Sequence, residues 1–246
     1  MKKSIFTLFL LIAGLAAFTA EAETRVLNIQ QSFSALDASA GVKVIYQPAT
    51  TGQRTVKITG DTKRINEVDV RISGKTLKIS PKPDRMGNRS GNRIKGVVVT
   101  VIAPMVNDIE ASSGASIRCN GTISASGKKL EIDASSGAAV SLTSVNCRKI
   151  EIDASSGSAV SIKTINADKA ELEVSSGAAI SLSTATTKDI DCEASSGATI
   201  KLGGGTSIKG SFSASSGGAI KGSTFTVRNS RIDKSVGGSI KLNTRN

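Results

Sequence analysis

The sequence predicts an all-β fold: a right-handed parallel β-helix with coils of about 20 residues and irregular strands at its N-terminal end. Three observations lead there. A Ser-Ser-Gly motif places its glycine at Gly114, Gly137, Gly157, Gly177, Gly197 and Gly217, with Gly237 in a Ser-Val-Gly variant; after a first interval of 23 residues, every interval is 20. Apolar residues between the glycines alternate with polar ones, the period of a strand with one face inward. Beyond residue 22 the only aromatic side chains are Phe33, Tyr46, Phe212 and Phe225. Such a core must be filled by Ile, Val, Leu and Ala in thin, regular layers.

Stacking the repeats in register gives the columns. One reads Ile109, Ile132, Ile152, Leu172, Cys192, Phe212, Ile232 and a second Ala111, Ala134, Ala154, Val174, Ala194, Ala214. After the glycine come Ile117, Val140, Val160, Ile180, Ile200, Ile220, Ile240, then Cys119, Leu142, Ile162, Leu182, Leu202, Gly222, Leu242. A weaker column holds Val145, Ile165, Ala185, Gly205 and Phe225. Each unit therefore carries two good short strands and a poorer third one near 145–147. Ser-Ser-Gly is the corner between the first two, where glycine supplies an unusual backbone angle without steric cost. A unit that cannot bury its own face stacks on copies of itself. At about 3.3 Å per residue the coil closes on a perimeter of about 66 Å. A triangular coil is expected, with a flattened two-sided coil as the alternative.

The N-terminus reads as an export signal over residues 1–22. Lys2 and Lys3 precede an apolar run from Ile5 to Phe18, and Ala20-Glu21-Ala22 is a small-x-small cleavage site. Cleavage is expected after Ala22, and the run is too short to span a bilayer. Residues 23–107 lack the strict period but hold strand-like runs at Val42–Tyr46, Thr55–Thr59, Val68–Ile72, Thr76–Ser80 and Val97–Ile102. They are expected to form a cap or irregular first coils, with an earlier corner at Ala40-Gly41, and residues 108–246 to form the regular solenoid. Pro81 to Lys95 is a polar loop, expected to be mobile, that carries Arg85, Arg89 and Arg93.

Charge narrows the partners. The formal net charge is +12, and removing Lys2, Lys3 and Glu21 with the leader leaves +11. A basic surface favours polyanions: an acidic polysaccharide, lipopolysaccharide, a membrane surface or nucleic acid. Export makes nucleic acid an unexpected partner. With no His, and with Cys119, Cys147 and Cys192 at spacings that fit no metal or redox motif, no cofactor is expected and the cysteines read as buried apolar residues.

The outward columns are charged. Asp108/Glu110, Glu131/Asp133, Glu151/Asp153, Glu171/Glu173 and Asp191/Glu193 stack in two acidic columns, preceded by Lys129, Lys149, Lys169 and Lys209. The acids could hold calcium, but cross-coil ion pairs with the lysines account for the pattern without a metal. A second basic column, Lys201, Lys221 and Lys241, replaces Ser141, Ser161 and Ser181 toward the C-terminus. It is either a contact for an anionic glycan or an edge guard against aggregation. Together with Arg85, Arg89 and Arg93 it supplies the candidate ligand surface.

Several segments taken in order resemble a known family: Phe33-Ser34-Ala35-Leu36-Asp37-Ala38-Ser39-Ala40-Gly41-Val42-Lys43-Val44, Val56-Lys57-Ile58-Thr59-Gly60-Asp61, Gly74-Lys75-Thr76-Leu77-Lys78-Ile79, and Val98-Val99-Thr100-Val101-Ile102-Ala103-Pro104 leading into the repeats. The chain is similar to the putative auto-transporter adhesin, head GIN domain proteins of bacterial envelopes. The resemblance implies a β-helical, exported protein of the periplasm or outer cell surface. The expected function is a non-catalytic envelope module that binds glycan or another envelope or host protein. A polysaccharide lyase or hydrolase is the alternative. It is disfavoured because such enzymes need a cleft and paired carboxylates at a set separation, whereas here the carboxylates form a ladder.

Overall fold

The computed structural model describes residues 22–244; the leader expected over residues 1–22 lies, but for Ala22, outside them. The chain is 67% strand and 4% helix and winds a β-solenoid of about seven turns, roughly 20 residues per turn. Among the described residues the strands form one 15-stranded sheet. They are β1 Glu23–Asn28, β2 Ala35–Ala38, β3 Lys43–Pro48, β4 Thr55–Gly60, β5 Val68–Ser73, β6 Thr76–Pro81, β7 Val98–Ala103, β8 Asp108–Ala111 and β9 Ser116–Ala134. There follow β10 Ala139–Ala154, β11 Ala159–Val174, β12 Ala179–Ala194, β13 Thr199–Ala214, β14 Ala219–Lys234 and β15 Ser239–Thr244. A short helix, α1 Thr62–Ile65, is capped by Asp61, and a 3-10 turn spans Gly91–Ile94.

From β9 on, each strand pairs in parallel with the next, and from β10 to β14 the register is constant. In β10 the pairing skips Thr143 and Arg148, so the coil has three extended sides: 139–142, 144–147 and 149–154. The poorer strand expected near 145–147 is the second side, 144–147, and it pairs in register like the other two. The third side, 149–154, matches the good strand expected around 130–134. Its inward column of Leu130, Ile150, Ala170 and Ile190 is buried and was not among the expected columns. The first interval is longer by three residues because residues 120–121 stand opposite one residue of β10 and residues 126–128 opposite another. Both insertions fall at corners, so the register shifts between sides and not within one.

The Ser-Ser-Gly corner uses two unusual backbone angles, not one. In Ser135-Ser136-Gly137-Ala138 the φ of Ser136 is 51° and that of Gly137 is 72°, and the Ala138 N–H donates to the Ser135 carbonyl at 3.0 Å. That is a type I′ turn, which needs positive φ at both central positions. Ala40 and Gly41 build the same turn in the earlier copy, with φ of 55° and 77°. In the Ser-Val-Gly variant only Gly237 keeps a positive φ, 74°. A β-branched residue such as Val236 is poorly tolerated there.

The N-terminal strands complete the solenoid out of sequence order. β2 pairs in parallel with β8 on one side and β6 on the other, while β3 pairs with β9 and β7. The later segment β6–β7 thus lies outside the earlier segment β2–β3. Beyond it the ladder turns antiparallel: β5 covers β6, β4 covers β7 and β1 covers β4. Residues 82–97 join β6 to β7 where other coils have a four-residue corner. Tyr46 is fully buried beneath this cap, its hydroxyl donating to the Pro104 carbonyl and accepting from the Val106 N–H, both at 3.0 Å.

Candidate functional site

The three sides of the solenoid differ in charge. The third side carries the acids. Lys149 Nζ lies 2.5 Å from Glu151 on its own coil and 2.8 Å from Glu171 on the next; Lys169 lies 2.6 Å from Glu171, and Lys129 bridges Glu131 and Glu151. These cross-coil bonds hold the Glu171 carboxyl down at about 2, mainly through Lys149 and then Lys169. They are the lysine-carboxylate ladder the sequence led us to expect, but the lysines reach only the nearer acidic column. The farther one begins at Asp37, which pairs with Lys78 at 2.7 Å, and continues in register through Glu110, Asp133, Asp153, Glu173 and Glu193, which form no ion pair among the described residues. Burial, followed by repulsion from Asp153 and Glu131, pushes Asp133 up to about 6. Among the described residues no group of three or more His, Cys, Asp or Glu is arranged to hold a metal ion.

The first side is the opposite. One outward column runs Lys57, Thr100, Ile45, Arg118, Ser141, Ser161, Ser181, Lys201, Lys221, Lys241. The adjoining outward column holds Lys43, Ser116, Ala139, Ala159, Ala179, Thr199, Ala219 and Ser239, and Lys163 stands at the edge. The three predicted lysines therefore belong to a longer array. Counting Lys43, Lys57, Arg118 and Lys163, the side presents seven cations and no Asp or Glu between β4 and β15. With strands about 4.8 Å apart, ten of them make a face about 45 Å long. Alanine and serine keep its middle flat.

A cleft adjoins the upper end of this side. It measures about 810 Å³ and lies between the 82–97 segment and the corners at Ala40-Gly41 and Ser113, lined among others by Lys43, Arg89, Asn92 and Lys95. The segment that walls it is pinned rather than mobile as expected. Arg89 Nη1 donates to Pro81 O at 2.6 Å, Ser80 Oγ at 2.8 Å and Asp69 Oδ2 at 3.3 Å; Arg93 pairs with Glu67 and donates to Lys82 O at 3.1 Å. Asp84 Oδ1 closes the tip by accepting from the N–H groups of Met86 and Asn88, both at 2.8 Å. Gly91 packs so closely on the corner that a Cβ there would lie 2.9 Å from Ala40 O.

Of the predicted arginines, Arg89 and Arg93 are thus occupied in holding the cleft wall, and Arg85 stands exposed at the tip. Lys201, Lys221 and Lys241 are exposed and aligned. Sequence reasoning missed Lys43, Lys57, Lys95, Arg118 and Lys163. Two of them were within reach: Lys43 follows Gly41, and Ser116 follows Gly114, at the same offset of two, which puts Arg118 in the serine-lysine column.

A family described as putative auto-transporter adhesin, head GIN domain, matches residues 32–163 and 151–246. No curated protein matches. Among solved structures, a putative adhesin from Parabacteroides distasonis ATCC 8503 aligns with a TM-score of 0.74 at 16% identity, covering 91% of this chain and 98% of its own. A putative adhesin from Bacteroides fragilis NCTC 9343 aligns at 0.63 with 19% identity, covering 90% and 97%. A structure titled putative lipid binding protein, also from Parabacteroides distasonis, aligns at 0.70 with 15% identity, covering 93% and 98%. At these identities the likeness is one of fold.

Proposed function

The chain belongs to the putative auto-transporter adhesin, head GIN domain family, and on that premise we propose that it is a non-catalytic adhesion module of the cell envelope whose ligand is an acidic glycan lying along the first side. The observation that carries this reading is the segregation of charge: seven cations and no carboxylate on one side, carboxylates stacked on another. A flat, regular face with cations at both ends suits an extended polymer better than a compact ligand. The adjoining cleft, with Lys43 and Lys95 exposed and Asn92 beside them, suits the end or a branch of such a chain. Nothing in the arrangement resembles an isolated pair of opposed carboxylates, the usual device for glycosidic cleavage. Among the described residues no helix is long and apolar enough to cross a membrane.

The test is binding of the purified protein to an acidic polysaccharide such as polygalacturonate, with neutral dextran as control and release of reducing or unsaturated ends followed in the same samples. Saturable, salt-sensitive binding that weakens in a Lys201→Gln, Lys221→Gln, Lys241→Gln variant, without turnover, supports the reading. Turnover overturns the non-catalytic assignment. Binding to anionic vesicles but to no polysaccharide would move the ligand from glycan to lipid surface.

A further inference from the structure

The two ends of the solenoid are finished differently. At the N-terminal end the antiparallel strands β1, β4 and β5 cover the outermost coil. At the other end Asn229–Lys234 of β14 pair with Lys209–Ala214 of β13, and among the described residues no strand lies on their other side. The main-chain direction there can be read from the ladder. The Ala214 carbonyl accepts from the Ser235 N–H of the next coil at 3.1 Å. The same position one coil on is Lys234, so its carbonyl points to the open edge. By the two-residue period, Ile232 turns its N–H and carbonyl the same way.

The side chains of this edge are also specific. Ile232 continues a column whose members Ile132, Ile152, Leu172 and Phe212 are buried, yet it is 44% exposed. Around this coil and on β15 beyond it stand Lys221, Arg228, Arg231, Lys234 and Lys241, against the single acid Asp233. None of these five cations forms an ion pair among the described residues. A second copy docked end to end would set Arg231 and Lys234 against their own kind. An extended segment of opposite charge would not.

We infer that the open edge at Asn229–Lys234 is a strand-addition site for an acidic, extended segment of a partner protein, with carboxylates alternating with apolar residues. Its main chain bonds to Ile232 and Lys234. One apolar side chain covers Ile232, and its carboxylates meet Arg231 on the outward face and Arg228 at the corner. Main-chain bonds give such docking its affinity, and the alternate side chains give it specificity. This goes beyond the glycan reading, since it uses a different surface and a different class of ligand.

The probe is a fluorescent peptide of alternating glutamate and valine, compared by anisotropy with an isomer that carries its glutamates and valines in two blocks. The expected result is saturable binding of the alternating peptide, about tenfold tighter than that of the block isomer, because only alternation matches the strand period. Ile232→Pro removes the outward N–H without breaking a ladder bond, as proline on an edge strand allows. It should weaken the peptide about tenfold while the melting temperature stays near that of the parent. A second variant, Arg228→Glu with Arg231→Glu, should weaken it likewise and leaves the backbone untouched. Equal binding of the two isomers would show charge attraction alone and overturn the site, as would undiminished binding by both variants. Concentration-dependent pairing of the protein without peptide, abolished by Ile232→Pro, would assign the edge to a second copy and overturn the acidic partner.

Discussion

The main-chain N–H of Gly137 donates to the carbonyl of Ser156, one coil ahead, at 3.0 Å. The same bond links Gly114 to Ser136, Gly157 to Ser176, Gly177 to Ser196 and Gly197 to Ser216. The corners are thus a ladder in their own right, and their left-handed angles are stacked one on another. Nothing lies within 4 Å of a Cβ placed on Gly157, whose φ is 71°. The cost of Gly157→Ala is therefore backbone strain alone, about 1–2 kcal/mol. Ser156→Val should cost at least as much, since β-branching suits φ of 53° poorly. Ser156→Gly should be within about 0.5 kcal/mol of neutral, relieved strain offsetting a freer unfolded chain. Denaturant midpoints of the three variants check the order.

A second prediction concerns volume in the core. Gly210 sits in the column of Leu130, Ile150, Ala170 and Ile190, and a Cβ there would lie 2.6 Å from Phe212 Cε2 and 2.8 Å from its Cζ. The phenyl ring reaches into space that Leu130, Ile150 and Ile190 fill in other coils. Gly210→Ala should destabilise by about 1–3 kcal/mol through overpacking. Phe212→Leu should cost about 1 kcal/mol alone and suppress most of the Gly210→Ala effect in the double variant. Additive losses would show that the two positions do not share that space.

Asp133 and Glu171, one from each acidic column, should titrate in opposite senses. Asp133 holds its proton more tightly folded, at about 6, than at its ordinary value of 3.8. Its contribution to stability is fully present below 3.8 and lost as pH rises through 6. Glu171, at about 2 against an ordinary 4.5, contributes above 4.5 and loses that contribution as pH falls toward 2. Stability should therefore rise from pH 7 to about 5 and fall below about 4. Asp133→Asn should stabilise at pH 7 by about 1 kcal/mol, after allowing for the screening that a half-exposed carboxylate feels, and have no effect at pH 3. Thermal unfolding across that range, with and without the substitution, provides the check.

These positions also show what the sequence could and could not reveal. Glycine spacing and period-two columns were enough for the coil, because a repeat must bury the same positions in every copy. The left-handed Ser136 was not legible: serine has no evident preference for that angle, and only the stacked I′ turn imposes it. The swap of β6–β7 to the outside of β2–β3 was equally hidden, since strand order depends on pairings far apart in sequence. Arg89 and Arg93 looked like free cations in a polar loop. Their acceptors, Asp69, Ser80, Pro81 and Glu67, come together only once β5 and β6 have paired. The cationic side was half legible. Its lysine column was visible where it repeats every 20 residues, and was lost where serine interrupts it before Arg118.

The absence of carboxylates from the first side leads to the last prediction. If a polyanion lies along that side, one carboxylate at its centre should be felt without disturbing the fold. Ser161 is exposed between Ser141 and Ser181, midway along the column that runs from Arg118 to Lys201. Ser161→Asp places a negative charge there, and repulsion at close range in a high-dielectric setting is worth about 1 kcal/mol per contact. Affinity for polygalacturonate should fall about threefold to tenfold at low salt, and the difference should fade as added salt screens it. Thr186→Asp is the matched control, since Thr186 is exposed on the second side at a comparable height on the rod. It adds the same charge to the same protein, so an equal loss there would mean that net charge, and not the first side, governs binding.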